Sequence, residues 1–234
     1  MKEEQAASQS NEQLQEDIQA AVETGQDIKE TVRQITIKAL TKGDLDSQSV
    51  REVAEAVVKG AGFGAASQGA ATKEVLDKAV SGLDEALSKA AEASKLAIKE
   101  AVGRSNEFSE NELKRTLNDI QSLETLFLET LRDSANAGKE KTSVILHELA
   151  DHAQYSGTAV GEQLKEGLSE LMAVAGDAGK AQLESSVEAA KTTGSMLTKL
   201  AAGVLEGFAD SLDPSSDVTD QSNQPKQQSK DKAD

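Results

Sequence analysis

The first proline of this chain is Pro214, and the second and last is Pro225. Proline inside a helix removes a backbone donor and clashes with the preceding turn, so the long proline-free stretch is open to long helices. Apolar residues ahead of Pro214 recur at helical rather than strand spacing. Leu14, Ile18, Ala21, Gly25, Ile28, Val32, Ile35 and Ala39 alternate steps of four and three, a heptad seam on one face of a helix. Ser10 with Gln13 supplies a capping box at its start and Gly43 a stop just beyond its end.

Asp46 or Ser47 starts the next helix. Ala54, Val58, Ala61, Ala65, Gly69, Thr72, Leu76, Val80, Leu83 and Leu87 repeat with an eleven-residue spacing, close to the period of a straight helix. By composition Gly60-Ala61-Gly62-Phe63-Gly64 reads as a loop, whereas the spacing reads as a helix running through it to an end near Gly103, weakened by ~1 kcal/mol per glycine relative to alanine; the sequence leaves both open. A third helix opens on the capping box Ser109-Glu110-Asn111-Glu112, with Phe108 as a hydrophobic staple. Its face is Leu113, Leu117, Ile120, Leu123, Phe127 and Leu131, and Asn136-Ala137-Gly138 ends it.

The fourth helix starts near Thr142 and carries Leu146, Ala150, Ala153, Gly157, Val160, Leu164, Gly167, Leu171, Val174 and Ala178. A second seam follows, on Leu183, Val187, Ala190, Gly194, Leu197, Ala201, Val204 and Phe208. The step from Ala178 to Leu183 turns the face by ~140°, so a break or a change of packing partner is predicted at 176–179. The expected fold is all-α: an elongated antiparallel bundle of five to six helices with coiled-coil-like seams over residues 10–212. Residues 1–9 are expected to be disordered, as is the tail 213–234, whose Ser, Asp, Gln, Lys and Pro bury no face.

Composition narrows the function classes. The chain has no Cys, which excludes disulfides, thiolate zinc sites and a thiol nucleophile. Polar, acidic residues follow Met1 with no apolar run, and no segment holds the ~18 apolar residues that span a bilayer, so a cytoplasmic location is expected. A formal charge of −16, from 41 acidic against 25 basic residues, argues against nucleic acid and against electrostatic docking on anionic membranes. Leu, Ile, Val and Phe make up roughly a fifth of the chain, near the ~20 % mark below which highly charged chains tend to stay disordered.

Motif by motif, no catalytic, cofactor or metal residue is assigned. His147 and His152 are five apart and point ~140° from each other, whereas a helical zinc motif needs them four apart. His147 with Asp151 and Glu148 with His152 are the real neighbours, and such pairs decorate a solvated face. Gly60-x-Gly62-x-Gly64 lacks the spacing and the preceding strand of a dinucleotide loop, and is read as tight helix packing or a hinge. Gly157-x-x-x-Gly161 and Gly203-x-x-x-Gly207 sit among charges that exclude a membrane dimer, and are read as close helix approach in a bundle. Tyr155, the single tyrosine, is given no role.

Three stretches, LDEALSKAAEASKLAIKEA (83–101), FSENELKRTLNDIQSLETLFLETL (108–131) and SGTAVGEQLKEGLSEL (156–171), resemble an uncharacterised bacterial family of acidic all-helical proteins. The likeness covers most of residues 50–210, and the family brings no assigned activity. In texture the chain also resembles phasins, the helical proteins that coat polyhydroxyalkanoate granules, though it lacks the long basic tail that some of them carry. Its Ala/Lys/Glu helices are similar too to late-embryogenesis-abundant proteins and apolipoproteins. The expected function is non-enzymatic: amphipathic helices on an apolar granule or lipid surface, with acidic faces outward. The alternatives are a scaffold or homo-oligomer packing on partner helices, and a stress-protective helical protein.

Overall fold

Three turns cut the periodic stretches into shorter helices. The computed structural model describes residues 2–43, 45–103, 110–138, 140–167, 169 and 196–212. Helix α1 spans Lys2–Thr24, α2 Ile28–Thr41, α3 Ser47–Ala66, α4 Thr72–Gly103, α5 Glu110–Ala137 and α6 Glu140–Ser156. A helix α7 follows, described over residues 159–167, and α8 spans Met196–Leu212. A 3-10 turn at Gly69–Ala71 leads into α4. Among the described residues there are no strands, and the protein is an all-α helical bundle.

The breaks correct the helix count of five to six. Gly25 takes φ +71° and Asp27 φ 40°, left-handed values that end α1 and begin α2. The seam expected to be one helix from Leu14 to Ala39 is therefore two. After the turn α2 selects its own face: Ile28, Val32, Thr36, Ile37 and Leu40 are buried, while Ile35 and Ala39 are half-buried. Thr36 tolerates the core because its Oγ1 donates to the Val32 carbonyl at 2.7 Å. The start is also earlier than the capping box at Ser10 suggests, since α1 begins at Lys2.

The helix predicted to run from Asp46 to Gly103 does pass through Gly60, Gly62 and Gly64, but it ends at Ala66. Gly69 at φ +60° turns the chain and α4 begins at Thr72. The eleven-residue face survives the interruption, for Ala54, Val58, Ala61, Ala65, Leu76, Val80, Leu83 and Leu87 are all buried. Gly157, at φ +90°, breaks the fourth predicted helix in the same way. Start and stop signals elsewhere hold: Asp46 caps α3, accepting from the Ser49 amide at 2.9 Å, and α5 ends at Ala137. The capping box at Ser109 with Phe108, the break at 176–179 and the seam from Leu183 to Gly194 fall outside the described residues, as does the tail.

α4 is the axis of the bundle, packing against α2, α3, α5, α6 and α8. It can do so because its buried residues are largely alanines, including Ala79, Ala86, Ala90, Ala93, Ala97 and Ala101, which let backbones approach from several sides. Leu76, Leu83 and Leu87 add bulk, and Phe127 and Leu131 of α5 fill the space facing them in the same core. Register pairs give the directions. Gly60 lies on Gln15 and Ile18 and Gly64 on Gln19 and Val22, so α1 and α3 run parallel. Lys73 pairs with Glu148, and Asp84 meets Ala159, each partner 75 residues on, so α6 and α7 follow α4 in parallel. The α1–α3 and α4–α6 contacts are those expected between alternate helices when successive helices reverse direction, whereas α7 continues in the direction of α6.

Candidate functional site

Two polar clusters sit within the bundle. The first surrounds the start of α7. Gly157 turns the chain and Thr158 caps the helix, its Oγ1 accepting from the Gly161 amide at 2.9 Å. Asp84 of α4 accepts from the Ala159 amide at 2.7 Å and from the Val160 amide at 3.0 Å. Glu124 of α5 accepts from the Thr158 hydroxyl at 3.0 Å, and its carboxylate occupies the space that a side chain at Gly161 would need. Burial holds the Asp84 carboxyl above its ordinary value, the two amide donors pull it down, and Glu124 and Glu85 push it up again. Glu85 is itself occupied by α2, with Lys29 at 2.7 Å and Arg33 at 3.6 Å.

The second cluster joins α3 to α5. Ser47 Oγ donates to Asp119 Oδ1 at 2.6 Å and lies 3.1 Å from Ser122 Oγ. Asp119 Oδ2 is buried without a partner, and burial again raises this carboxyl above its usual range, with Ser47 and Arg115 opposing. A hydroxyl beside a carboxyl of raised proton affinity resembles half of a nucleophile–base pair, but the geometry offers no imidazole to complete it. Both histidines lie on the exposed side of α6. Each cluster reads as a tie between helices: the first seats α7, the second locks the start of α3 on α5.

The residues singled out in the sequence fall as follows. His147, Glu148, Asp151 and His152 are exposed on α6, with Glu148 taken by Lys73 at 2.6 Å and Asp151 near Arg132 at 3.8 Å. No group of three or more potential metal ligands occurs among the described residues. Gly60 and Gly64 are packing glycines: a Cβ on Gly60 would collide with the Gln15 carbonyl, and one on Gly64 would come within 2.8 Å of the Gln19 carbonyl. Gly161 is close-packed against Glu124, but Gly203 and Gly207 face open space, which overturns the reading of that pair as close helix approach. They lie in line with Lys199, Glu206 and Asp210, the charged side of α8. The exposed large apolar side chains are Phe63, Leu96, Val144 and Tyr155, the last 94 % exposed.

Sequence reasoning did not find Asp84, Glu124, Ser47, Asp119 or Gly82. Gly82 is as tightly set as Gly60, because a side chain there would meet the Lys29 carbonyl of α2. Thr158 had a local signal, a cap-forming residue directly after a glycine. Asp84 had none, since its partners lie 75 and 76 residues away. No described helix is long and apolar enough to cross a membrane. No curated protein and no solved structure matches the chain. A family profile does match, across residues 4–214, and on that match the protein belongs to the family of unknown function DUF6781.

Proposed function

We propose that this protein works without chemistry of its own, as a helical coat on a neutral apolar surface such as a storage granule or lipid body. The observation that carries the reading is α8. Its charges, Lys199, Glu206 and Asp210, share one stripe with Gly203 and Gly207, and the rest of the helix is apolar or small. Leu197, Ala201, Ala202 and Leu205 are buried against the bundle, with Leu200, Val204, Phe208 and Ala209 partly so. The two glycines of α8 make no close backbone contact, so side chains seat it. Exchanging an apolar groove for an apolar surface keeps the same area from water, at about 25 cal/mol per Å² on either side. A formal charge of −16 on the outer faces would keep coated particles apart.

Flotation of the purified chain with neutral lipid droplets and, separately, polyester particles tests this reading. Recovery with either supports it, and the substitution Leu205→Asp should abolish recovery while the helical content of the bundle remains. Recovery with neither sinks it.

A second reading, a scaffold that packs on partner helices, is favoured by α6. Val144 and Tyr155 stand 55 % and 94 % exposed on one line of that helix, large side chains that no described residue covers. Sedimentation equilibrium at high concentration would detect self-assembly through this face. A partly disordered stress protectant is the least supported of the three, given side chains such as Ile18, Phe127 and Leu131 buried to 1 % exposure or less.

A further inference from the structure

We propose that Asp84 and Glu124 form a proton-tightened clasp on the first turn of α7, so that α7 seats more firmly as the solution becomes more acid. The inference does not depend on what the chain coats. Two carboxylates from two different helices converge on Thr158–Gly161. Asp84 takes two backbone amides and Glu124 takes the capping hydroxyl, while Gly161 carries no side chain and leaves the Glu124 carboxylate its place. A helix N-terminus contributes roughly half a positive charge, which cannot balance two carboxylates. Glu85 is a third negative group acting on Asp84, and the cations it holds, Lys29 and Arg33 of α2, are engaged by it. α7 brings Glu162 in its first turn, exposed and acidic. The charge missing from the clasp is therefore one that a proton can supply.

The sign follows from where the carboxyl goes when α7 leaves. With α7 seated, Asp84 is covered by Ala159 and Val160, and burial is the largest cause of its raised proton affinity. With α7 away, the carboxyl returns to water and to about 3.9. The seated state then binds the proton more tightly, and linkage strengthens seating as pH falls from above the raised value toward ~3.9. A protonated Asp84 keeps a carbonyl oxygen for one amide and no longer repels Glu124.

Hydrogen exchange of the full chain, read in peptides covering 158–167 and corrected for intrinsic rates, tests the clasp. From neutral pH down to about pH 4, protection there should rise below the raised value of Asp84, by up to about tenfold per pH unit, the limit for one proton. Peptides from α1, which touches neither raised carboxyl, should show no such slope. Asp84→Asn should flatten the slope in 158–167 while circular dichroism remains that of the parent. If that variant fails to fold, Glu124→Gln decides: with the like charge gone the slope should weaken. Protection that is flat or falls on acidification overturns the proposal. So does a slope that survives unchanged in Asp84→Asn, or in Glu124→Gln where that variant has to decide.

Discussion

The α1–α3 contact and α8 use the same sequence device to opposite ends. Each carries two glycines four residues apart, Gly60 and Gly64 in one, Gly203 and Gly207 in the other. The first pair lies in the seam with Val57, Ala61 and Ala65, and α1 presses its backbone onto it. The second pair lies among Lys199, Glu206 and Asp210 and faces open space. Spacing alone does not make a packing motif. What decides is whether the glycines share the phase of the buried residues or that of the charges.

Large-to-small changes test the comparison most strongly. Ile18→Ala, at a side chain with no exposure that touches Gly60, should cost ~2–5 kcal/mol in urea unfolding. Leu205→Ala removes as deeply buried a side chain from α8. If α8 is seated by side chains alone, its loss should appear first as faster hydrogen exchange in α8 rather than as an equal shift of the whole transition. An identical shift in both variants would show that α8 is as integral as α1.

Adding a methyl to each glycine is the sharper, smaller test. Gly60→Ala and Gly82→Ala should each destabilise by ~1–3 kcal/mol, because the new Cβ meets a carbonyl of the neighbouring helix that has no room to yield. Gly203→Ala and Gly207→Ala should each stabilise, by up to ~1 kcal/mol, since the helix gains propensity and nothing is touched. The opposite signs are the prediction, and thermal melts of the four variants read them directly.

Titration gives a smaller effect still. Asp119 has a carboxyl raised by burial, so the folded state holds its proton more tightly than the unfolded chain. Its contribution favours folding increasingly as pH drops from above the raised value toward ~3.9, where the unfolded chain takes up its own proton. Asp119→Asn should remove that part of the pH dependence and leave the Ser47 contact in place, measured as unfolding midpoints across the acid range. The surface pair Lys73–Glu148 marks the bottom of the scale, and Lys73→Ala should leave the melting temperature unchanged.

Much of the fold was legible because buried positions repeat with a period that the sequence displays. The face from Ala54 to Leu87 was readable except at Gly69, which is exposed at the turn, as were the Asp46 cap and the end of α5. The turns were not, because glycines at 25, 69 and 157 stand at seam positions where a continuing helix would also place a small residue. A local cue existed at each: Asp27, Thr72 or Thr158, residue types favoured at helix starts, follows the glycine within three residues, though only Thr158 makes the side-chain cap. Rotation of α2 about its axis was invisible because it is set by contacts with α4 and α8, far along the chain. The Asp84–Thr158 and Ser47–Asp119 ties escaped for the same reason. An acidic residue on an amphipathic helix looks solvated until a partner from another helix arrives.

The Gly25–Asp27 turn has a consequence for how two copies of the chain would meet. The stripe from Leu14 to Ala39 stays in phase across it, so α1 and α2 straightened into one rod would still present a single apolar line. Such a rod, residues 2–41, would be about 60 Å long. A turn whose flanks would share one apolar line only when straightened is a starting point for domain swapping, in which α1 of one copy packs on α3 of another. Making the turn harder, as Gly25→Ala would at φ +71°, converts a folding turn into a device for exchanging arms.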